Sequence, residues 1–160
     1  MTGDGSLVSF TIRPARAGDA SAVAACVAAA YALYVERMGK KPGPMLDDYA
    51  EVIARHRVFI LDEPEGLSGI LVLIATAEGL LLDNVAVHPD RQGRGLGRRL
   101  VAFAEDEARR LGHGALDLYT HESMTENIAL YDALGYVETE RRVVSGYARV
   151  YMRKQLYQRS

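Results

Sequence analysis

The alternation of apolar and polar residues divides the chain into strand-like and helix-like segments. Val8, Phe10 and Ile12 alternate with polar residues, as expected for a half-buried strand. Leucine, phenylalanine and alanine recur at helical spacing between residues 96 and 111, which predicts a long amphipathic helix. In chain order the pattern predicts a strand at 8–12, helices at 19–34 and 45–55, strands at 58–61, 67–76 and 79–87, a helix at 95–111, a strand at 116–120, a helix at 125–134, and strands at 136–142 and 149–156.

The connections between these segments predict the fold class. Tight turns at Asp62–Gly66 and Ala77–Gly79 indicate an antiparallel meander, and Leu80–Val87 is too continuously apolar for an edge strand. The long helix joins that central strand to the next one, and such a crossover places its two strands parallel. The chain is therefore predicted to be α/β (α+β), with a mixed, mainly antiparallel sheet of about seven strands, a parallel crossover, and helices on both faces.

Composition narrows the class of protein. The chain has 160 residues, of which 49% are apolar and 25% charged, as in an ordinary globular domain. We expect one domain over residues 1–160 with a loose terminus at 1–6. The formal net charge of -2 does not suggest a nucleic-acid partner. A single cysteine, Cys26, excludes a disulfide framework and a cysteine-based metal site within one chain, so we expect a reducing, cytoplasmic location and no metal.

One apolar stretch, Ala20–Val35, resembles a signal peptide or membrane span. It is shorter than the roughly 20 apolar residues that a spanning helix needs. Asp19 and Glu36 lie immediately on either side of it, and a predicted strand precedes it. We interpret it as a buried helix, with Cys26 an inert core thiol, and expect no membrane partner.

The clearest candidate for a binding site is the glycine-rich turn between the central strand and the long helix. Gly93, Gly95 and Gly97 allow the backbone to turn with its N–H groups pointing inward. The helix then begins without a Ser, Thr, Asp or Asn to cap it, which leaves a positive helix end for a phosphate group. Four arginines, at 91, 94, 98 and 99, add charge. The alternative interpretation is a turn on a solvated basic surface.

Two common phosphate-binding motifs fit this turn poorly. A nucleoside-triphosphate loop requires Lys-Ser/Thr after its last glycine, where this chain has Arg98-Arg99. A dinucleotide motif, G-x-G-x-x-G, would need its third glycine at Arg98 or at Leu100. A dinucleotide site remains a weak alternative.

Two segments resemble motifs of the GCN5-related N-acetyltransferase (GNAT) superfamily. Gln92-Gly93-Arg94-Gly95-Leu96-Gly97 fits Q/R-x-x-G-x-G/A, that family's acetyl-CoA signature. The segment 127–136, which runs from an asparagine through a tyrosine to Gly-Tyr, resembles the second motif, with its alanine displaced. The two motifs occur in the family's order and on the predicted elements. The resemblance implies the GNAT fold and an acetyl-CoA-dependent N-acetyltransferase.

The resemblance also implies roles in cofactor binding. The main chain of the turn would bind the pyrophosphate of coenzyme A, through Gln92, Gly93, Arg94, Gly95, Leu96, Gly97 and Arg98. The strand segment Val85, Ala86 and Val87 would bind the pantetheine arm and polarise the thioester carbonyl. Asn127 would bind the same arm. Tyr131 would protonate the leaving thiolate; its alternative role is core packing beside Leu130 and Leu134.

Catalysis also needs a group that takes a proton from the amine. Asp83 is the first candidate, because an ionised carboxyl in an apolar strand needs a partner or a purpose; pairing with an arginine is an equal alternative. Glu36, His121 and Glu122 are weaker candidates. By resemblance, the acceptor site draws on the first helices and the last hairpin, where Tyr31, Tyr34, Glu36 and Tyr147 are candidate substrate-binding residues.

The expected activity is direct transfer of the acetyl group to a primary amine in a ternary complex, without a covalent enzyme intermediate. The acceptor is a small molecule or a protein; the pattern does not select between them. A non-catalytic acyl-CoA-binding regulatory module is the alternative function. The resemblance is also compatible with a homodimer formed at the edge of the last hairpin.

Overall fold

The computed structural model describes residues 9–157. Its elements in chain order are β1 Thr11–Pro14, α1 Ala20–Met38, α2 Tyr49–Arg55, β2 Arg57–Glu63, β3 Gly66–Thr76, β4 Gly79–Val87, α3 Leu96–Arg110, β5 Ala115–His121, α4 Thr125–Ala133, β6 Val137–Val144 and β7 Tyr147–Gln155. Short 3₁₀ turns lie at Ala17–Asp19, Gly43–Leu46 and Pro89–Arg91. The predicted loose terminus, and Val8 of the first predicted strand, lie outside the described residues.

The strands form one sheet in the order β1-β2-β3-β4-β5-β7-β6. Neighbouring strands are antiparallel except β4 and β5, which α3 connects and which run parallel. The predicted fold class is therefore confirmed, including the central position of β4 and the crossover next to the glycine-rich turn.

Two apolar layers cover the sheet, one on each face. On one face α3 buries Leu100 and Ala104 against β3, β4 and β5. On the other face α1 buries Val23, Cys26 and Val27 against β3 and β4. The stretch that includes α1, Ala17–Met38, is long and apolar enough to cross a membrane by length and composition, with a mean hydropathy of 1.4. Its buried side nevertheless packs in this core, as the sequence predicts.

The helix boundaries differ from the prediction at two places. The first helix continues one turn past Tyr34 to Met38, and Gly39, whose φ of 71° is left-handed, follows as its C-cap. Residues 45–55 do not form one helix: a 3₁₀ turn ends at Leu46, and α2 then begins after Asp48, whose side chain accepts a hydrogen bond from the N–H of Ala50 at 3.1 Å. This capping carboxylate starts a new helix and interrupts the predicted one.

A β-bulge in the central strand changes which side chains face each layer. Leu73 of β3 pairs with Leu82, but its neighbour Val72 pairs with Asn84, so Asp83 is the extra residue. Side chains of a regular strand alternate between faces, and the extra residue reverses that alternation. Leu82 therefore packs in the α3-side layer, whereas Asn84 is buried and bonded to residues of the α1 side.

Candidate active site

The parallel strands β4 and β5 separate at the site. Their paired residues are Leu81 with Asp117 and Leu82 with Leu118, and no further pair follows among the described residues. Two cavities meet where the strands diverge. We call them the long groove, of about 410 Å³, and the inner pocket, of about 60 Å³. Both are lined by Tyr31, Val85, Asn127 and Tyr131.

The glycine-rich turn forms one end of the long groove. Gly93 and Gly95 have φ values of 81° and 76°, a left-handed conformation that favours glycine. Helix α3 begins directly after Gly95, and no side chain caps its first turn. Gln92, Gly93, Gly95, Leu96, Gly97 and Arg98 line the groove. The turn therefore has the geometry predicted for an anion cradle, with left-handed glycines and an uncapped helix end that faces a cavity.

The four arginines near the turn do not act as one cationic cluster. Arg91 and Arg94 both bind the buried carboxylate of Glu63, with the Nη2 of Arg94 2.6 Å from Oε2 and the Nη1 of Arg91 3.1 Å from Oε1. The bonds from Arg94, Ser68 and Arg91 lower the pKa of Glu63 to about 2. These two arginines thus tie the turn to the β2–β3 hairpin. Arg94 does not line the groove, while Arg98 does.

The strand segment 85–87, which the resemblance predicts to bind the pantetheine arm, lines the long groove. The carbonyl oxygen of Val85 accepts a hydrogen bond from the Tyr31 hydroxyl at 3.3 Å. The carbonyl oxygen of Val87 accepts one from Nε2 of Gln92 at 3.1 Å. These oxygens therefore already have side-chain donors, and each keeps a second lone pair for another donor.

Tyr131 lies at the junction of the two cavities. The residue is only 5% exposed, and its hydroxyl makes no hydrogen bond to another described residue. Burial raises the pKa of this phenol, so it keeps its proton near neutral pH. Asn127, one helical turn earlier on α4, lines both cavities beside it. A protonated, unpaired hydroxyl between two cavities can donate a proton to a group bound there.

Asp83, the bulged residue of β4, lines the inner pocket. Its Oδ1 accepts a hydrogen bond from the Tyr119 hydroxyl at 2.8 Å, and it forms no ion pair with any described residue. Burial raises the pKa of Asp83, and the Tyr119 hydrogen bond and the charge of Arg149 only partly offset this. An aspartate with a raised pKa is a better proton acceptor than an exposed one. Its partner is thus a tyrosine, not the arginine considered as an alternative.

The residues predicted to bind the acceptor occupy different places. Tyr31 reaches both cavities, and its hydroxyl is held by Asn84 at 2.7 Å. Tyr34 lines only the long groove. Tyr147 lines the inner pocket, where its hydroxyl donates to the carbonyl of Lys41 at 2.7 Å. Glu36 is exposed and lines neither cavity.

The weaker candidates for the proton acceptor, His121 and Glu122, are less well placed than Asp83 to take a proton from the amine. His121 lines the inner pocket, but its Nδ1 accepts the N–H of Ser123 at 3.0 Å, so the neutral ring carries its proton on Nε2. Burial lowers the pKa of His121. Glu122 is exposed and lines neither cavity.

Among the residues of the inner pocket that sequence reasoning missed are Tyr119 and Arg149. Tyr119 alternates on β5 with the buried Leu118 and Thr120, and Arg149 alternates on β7 with the buried Val150. Period-two alternation places both on the face opposite the α3-side layer, and that signal was available in the sequence. The pairing of β5 with β7 was still needed to bring them together.

Comparison with known proteins identifies the family. Residues 54–138 match the family model described as an acetyltransferase (GNAT) domain. A curated relative, the [ribosomal protein bS18]-alanine N-acetyltransferase of Escherichia coli (strain K12), is 33% identical over 88 residues, 55% of this chain and 60% of that protein. This chain thus matches less than two thirds of that relative's length. The chain belongs to the GNAT acetyltransferase family.

Solved structures share the fold across almost the whole chain. The ribosomal-protein-S18-alanine N-acetyltransferase of Escherichia coli superposes with a TM-score of 0.73 at 23% identity, covering 94% of this chain and 96% of that one. A putative acetyltransferase from Salmonella typhimurium, solved with its cofactor acetyl-CoA, gives 0.69 at 22% identity, with the same coverage. At these identities the likeness establishes the fold.

Proposed function

We propose that this chain is an N-acetyltransferase that moves an acetyl group from acetyl-CoA to a primary amine by direct transfer. The observation that carries the proposal is the meeting of two cavities at the hydroxyl of Tyr131, which makes no hydrogen bond within residues 9–157. One cavity ends in the glycine-rich turn, whose geometry suits an anion, and the other contains a half-buried carboxylate, Asp83. Family membership supports the same activity.

The long groove has the features that coenzyme A requires. Its cradle, formed by Gly93, Gly95 and the first turn of α3, suits a pyrophosphate, with Arg98 alongside. The segment 85–87 and Asn127 offer main-chain and amide groups for the pantetheine arm. The related structure from Salmonella typhimurium was solved with acetyl-CoA, which supports this assignment. Acetyl-CoA supplies the reactive thioester.

Asp83 and Tyr131 divide the proton transfers. The acceptor enters as an ammonium ion, and Asp83 takes one proton and passes it to water. The amine nitrogen then bonds to the acetyl carbon while the carbon–sulfur bond breaks and its electron pair goes to sulfur. Tyr131 protonates that sulfur and recovers a proton from the nitrogen. The nitrogen thus loses two protons and the products are an amide and a thiol.

The acceptor is an amine because the inner pocket provides a carboxylate for an ammonium group. The relative from Escherichia coli is named for acetylation of an alanine of a ribosomal protein, which supports an α-amine as the acceptor group. We place the activity in the cytoplasm, in keeping with the single cysteine.

The first test is thermal stabilisation by acetyl-CoA, with desulfo-CoA, NAD and ATP in parallel. A ligand at 100 times its dissociation constant adds about 2.7 kcal/mol of stability, which is visible as a melting shift. We expect a shift with the coenzyme A compounds only. A shift with NAD or ATP alone would contradict the assignment of the groove.

Turnover separates an enzyme from a non-catalytic acyl-CoA-binding module. Thiol release is measured with acetyl-CoA and a panel of amines for the wild type, for Tyr131→Phe and for Tyr157→Phe. Tyr157 is a matched control because it is 85% exposed and lines neither cavity. We expect turnover in the wild type and the control. Acetyl-CoA binding without turnover on any amine would favour the regulatory module.

A further inference from the structure

Arg149 is a cation of the inner pocket that has no carboxylate partner among residues 9–157. Its guanidinium carbon lies 3.9 Å from the ring centroid of Tyr119, and its Nη1 donates to the Tyr151 hydroxyl at 3.2 Å. Two arginines nearby on the same face are paired, Arg142 with Glu140 at 3.6 Å and Arg153 with Asp117 at 2.6 Å. Arg149 therefore has no direct ion pair among these residues, whereas its two neighbours do, and the charge of Asp83 acts on it without forming an ion pair.

The position of Arg149 links the inner pocket to a second opening. Arg149 and Tyr119 line the inner pocket and also a wider cavity of about 610 Å³ on the outer face of β5, β6 and β7, which we call the outer groove. The inner pocket, at about 60 Å³, has room for only the reacting end of an acceptor. Groups next to that end can extend into the outer groove past Tyr119 and Arg149, because these two residues line both cavities.

Tyr119 contacts two opposite charges in this pocket, one at its hydroxyl and one at the face of its ring. The hydroxyl of Tyr119 donates to Asp83, and the face of its ring packs under Arg149. An acceptor that carries only an ammonium group would complement Asp83 but would bring a second positive charge close to Arg149. An acceptor with a carboxylate near its amine complements both groups, because each charge then has an opposite partner.

We propose that Arg149 binds a carboxylate of the acceptor, so that the acceptor is a free amino acid or another amine with a carboxylate beside its amino group. The inference rests on the proposed function and names its acceptor class. The geometry of the side chain suits this role. The hydrogen bond to Tyr151 and the stacking on Tyr119 fix the guanidinium plane. Only one of its five N–H donors is used by a described residue, which leaves others for a carboxylate.

The experiment compares matched acceptors with and without the carboxylate. Acetylation rates (kcat/KM) are measured for free amino acids, for their carboxamides and for dipeptides with the same first residue. For the wild type we expect the free acids to be favoured by about ten- to a hundredfold, the range of a hydrogen bond to a charged group. Arg149→Gln should remove most of this preference by raising KM for the acids.

Two further variants separate a binding role from a structural one. Arg149→Lys keeps the positive charge but loses the planar guanidinium group with its paired N–H donors. This variant should therefore retain part of the preference for free amino acids. Arg141→Gln is the matched control: Arg141 lies on the neighbouring strand, is exposed and is paired with Glu138 at 2.9 Å. It should behave as the wild type. Binding of acetyl-CoA to every variant is measured separately by calorimetry, and Arg149→Gln should bind it normally.

The outcomes distinguish this inference from the proposed function. Equal rates with acids, carboxamides and dipeptides would overturn the role of Arg149, as would a preference for acids that survives in Arg149→Gln. Binding of acetyl-CoA with acetylation of dipeptides only would overturn it in favour of a peptide acceptor. Failure to bind acetyl-CoA would instead overturn the proposed function itself.

Discussion

Replacing Glu63 with glutamine should loosen the glycine-rich turn and destabilise the fold. Glu63 is the shared partner of Arg91 and Arg94, and its side chain is only 4% exposed. The substitution keeps the shape and the contact with Ser68 but removes the negative charge. Arg94 then loses its carboxylate partner, and Arg91 keeps only its longer pair with Glu65, at 3.7 Å. Losing one partner of a buried ion pair is among the costly substitutions in proteins.

The pKa of Glu63 sets the size of the effect. Its ordinary value of 4.5 falls to about 2 in the fold. At about 1.4 kcal/mol for each tenfold change, ionised Glu63 contributes about 3 kcal/mol to the free energy of unfolding at neutral pH. Because the pKa is lowered, this contribution is complete above about pH 4.5 and disappears as the pH falls towards 2.

Urea denaturation at several pH values measures this prediction. At pH 7 we expect Glu63→Gln to lower the free energy of unfolding by about 3 kcal/mol, and the difference from the wild type to narrow steadily below pH 4.5. Glu138→Gln, which breaks the exposed pair with Arg141, should leave the denaturation midpoint unchanged. Equal stability of Glu63→Gln and the wild type at pH 7, or a difference that does not depend on pH, would refute the reasoning.

Four further predictions concern the site. Tyr131→Phe should lower kcat by about 10²- to 10⁴-fold with little change in acetyl-CoA affinity, as measured by steady-state kinetics and calorimetry. The acidic limb of the kcat/KM profile should lie above the ordinary aspartate pKa of 3.8 because burial raises the pKa of Asp83, and Asp83→Asn should abolish that limb. Gly95→Val should weaken acetyl-CoA binding in a calorimetric titration, since φ at this position is 76° and valine strains there. Cys26→Ala should retain turnover, because the thiol is buried and burial raises its pKa to about 11; loss of turnover in a folded variant would point to a covalent intermediate.

Local features of the site could be predicted from the sequence. The order of central strand, glycine-rich turn and long helix depends on apolar periodicity and on glycines with left-handed φ, and both are properties of neighbouring residues. The absence of a capping side chain before α3 could also be predicted from the sequence, because no Ser, Thr, Asp or Asn directly precedes the helix. Tyr131 and Asn127 lie one helical turn apart on α4, so the sequence also predicts that they lie on the same face of that helix.

The charges of the site could not be assigned in the same way. The sequence places Arg91 and Arg94 in the turn, but their partner Glu63 is 28 and 31 residues away along the chain. The single-residue shift at Asp83 arises from pairing between β3 and β4, and it determines that Asp83 faces a pocket. Neither the ion pairs of Glu63 nor the bulge at Asp83 produces a periodic pattern in the sequence from which it could be predicted.

The sequence by itself determined the elements, their order, and the turn that can hold a phosphate, because backbone preference and apolar spacing act over a few residues. Only the tertiary structure decided which charges meet. It pairs two arginines of the turn with Glu63, places Arg149 over the ring of Tyr119 without a carboxylate partner among residues 9–157, and brings Asp83 and Tyr131 to one pocket. Electrostatic interactions act through space, so their partners are set by strand pairing and packing between residues distant in the chain.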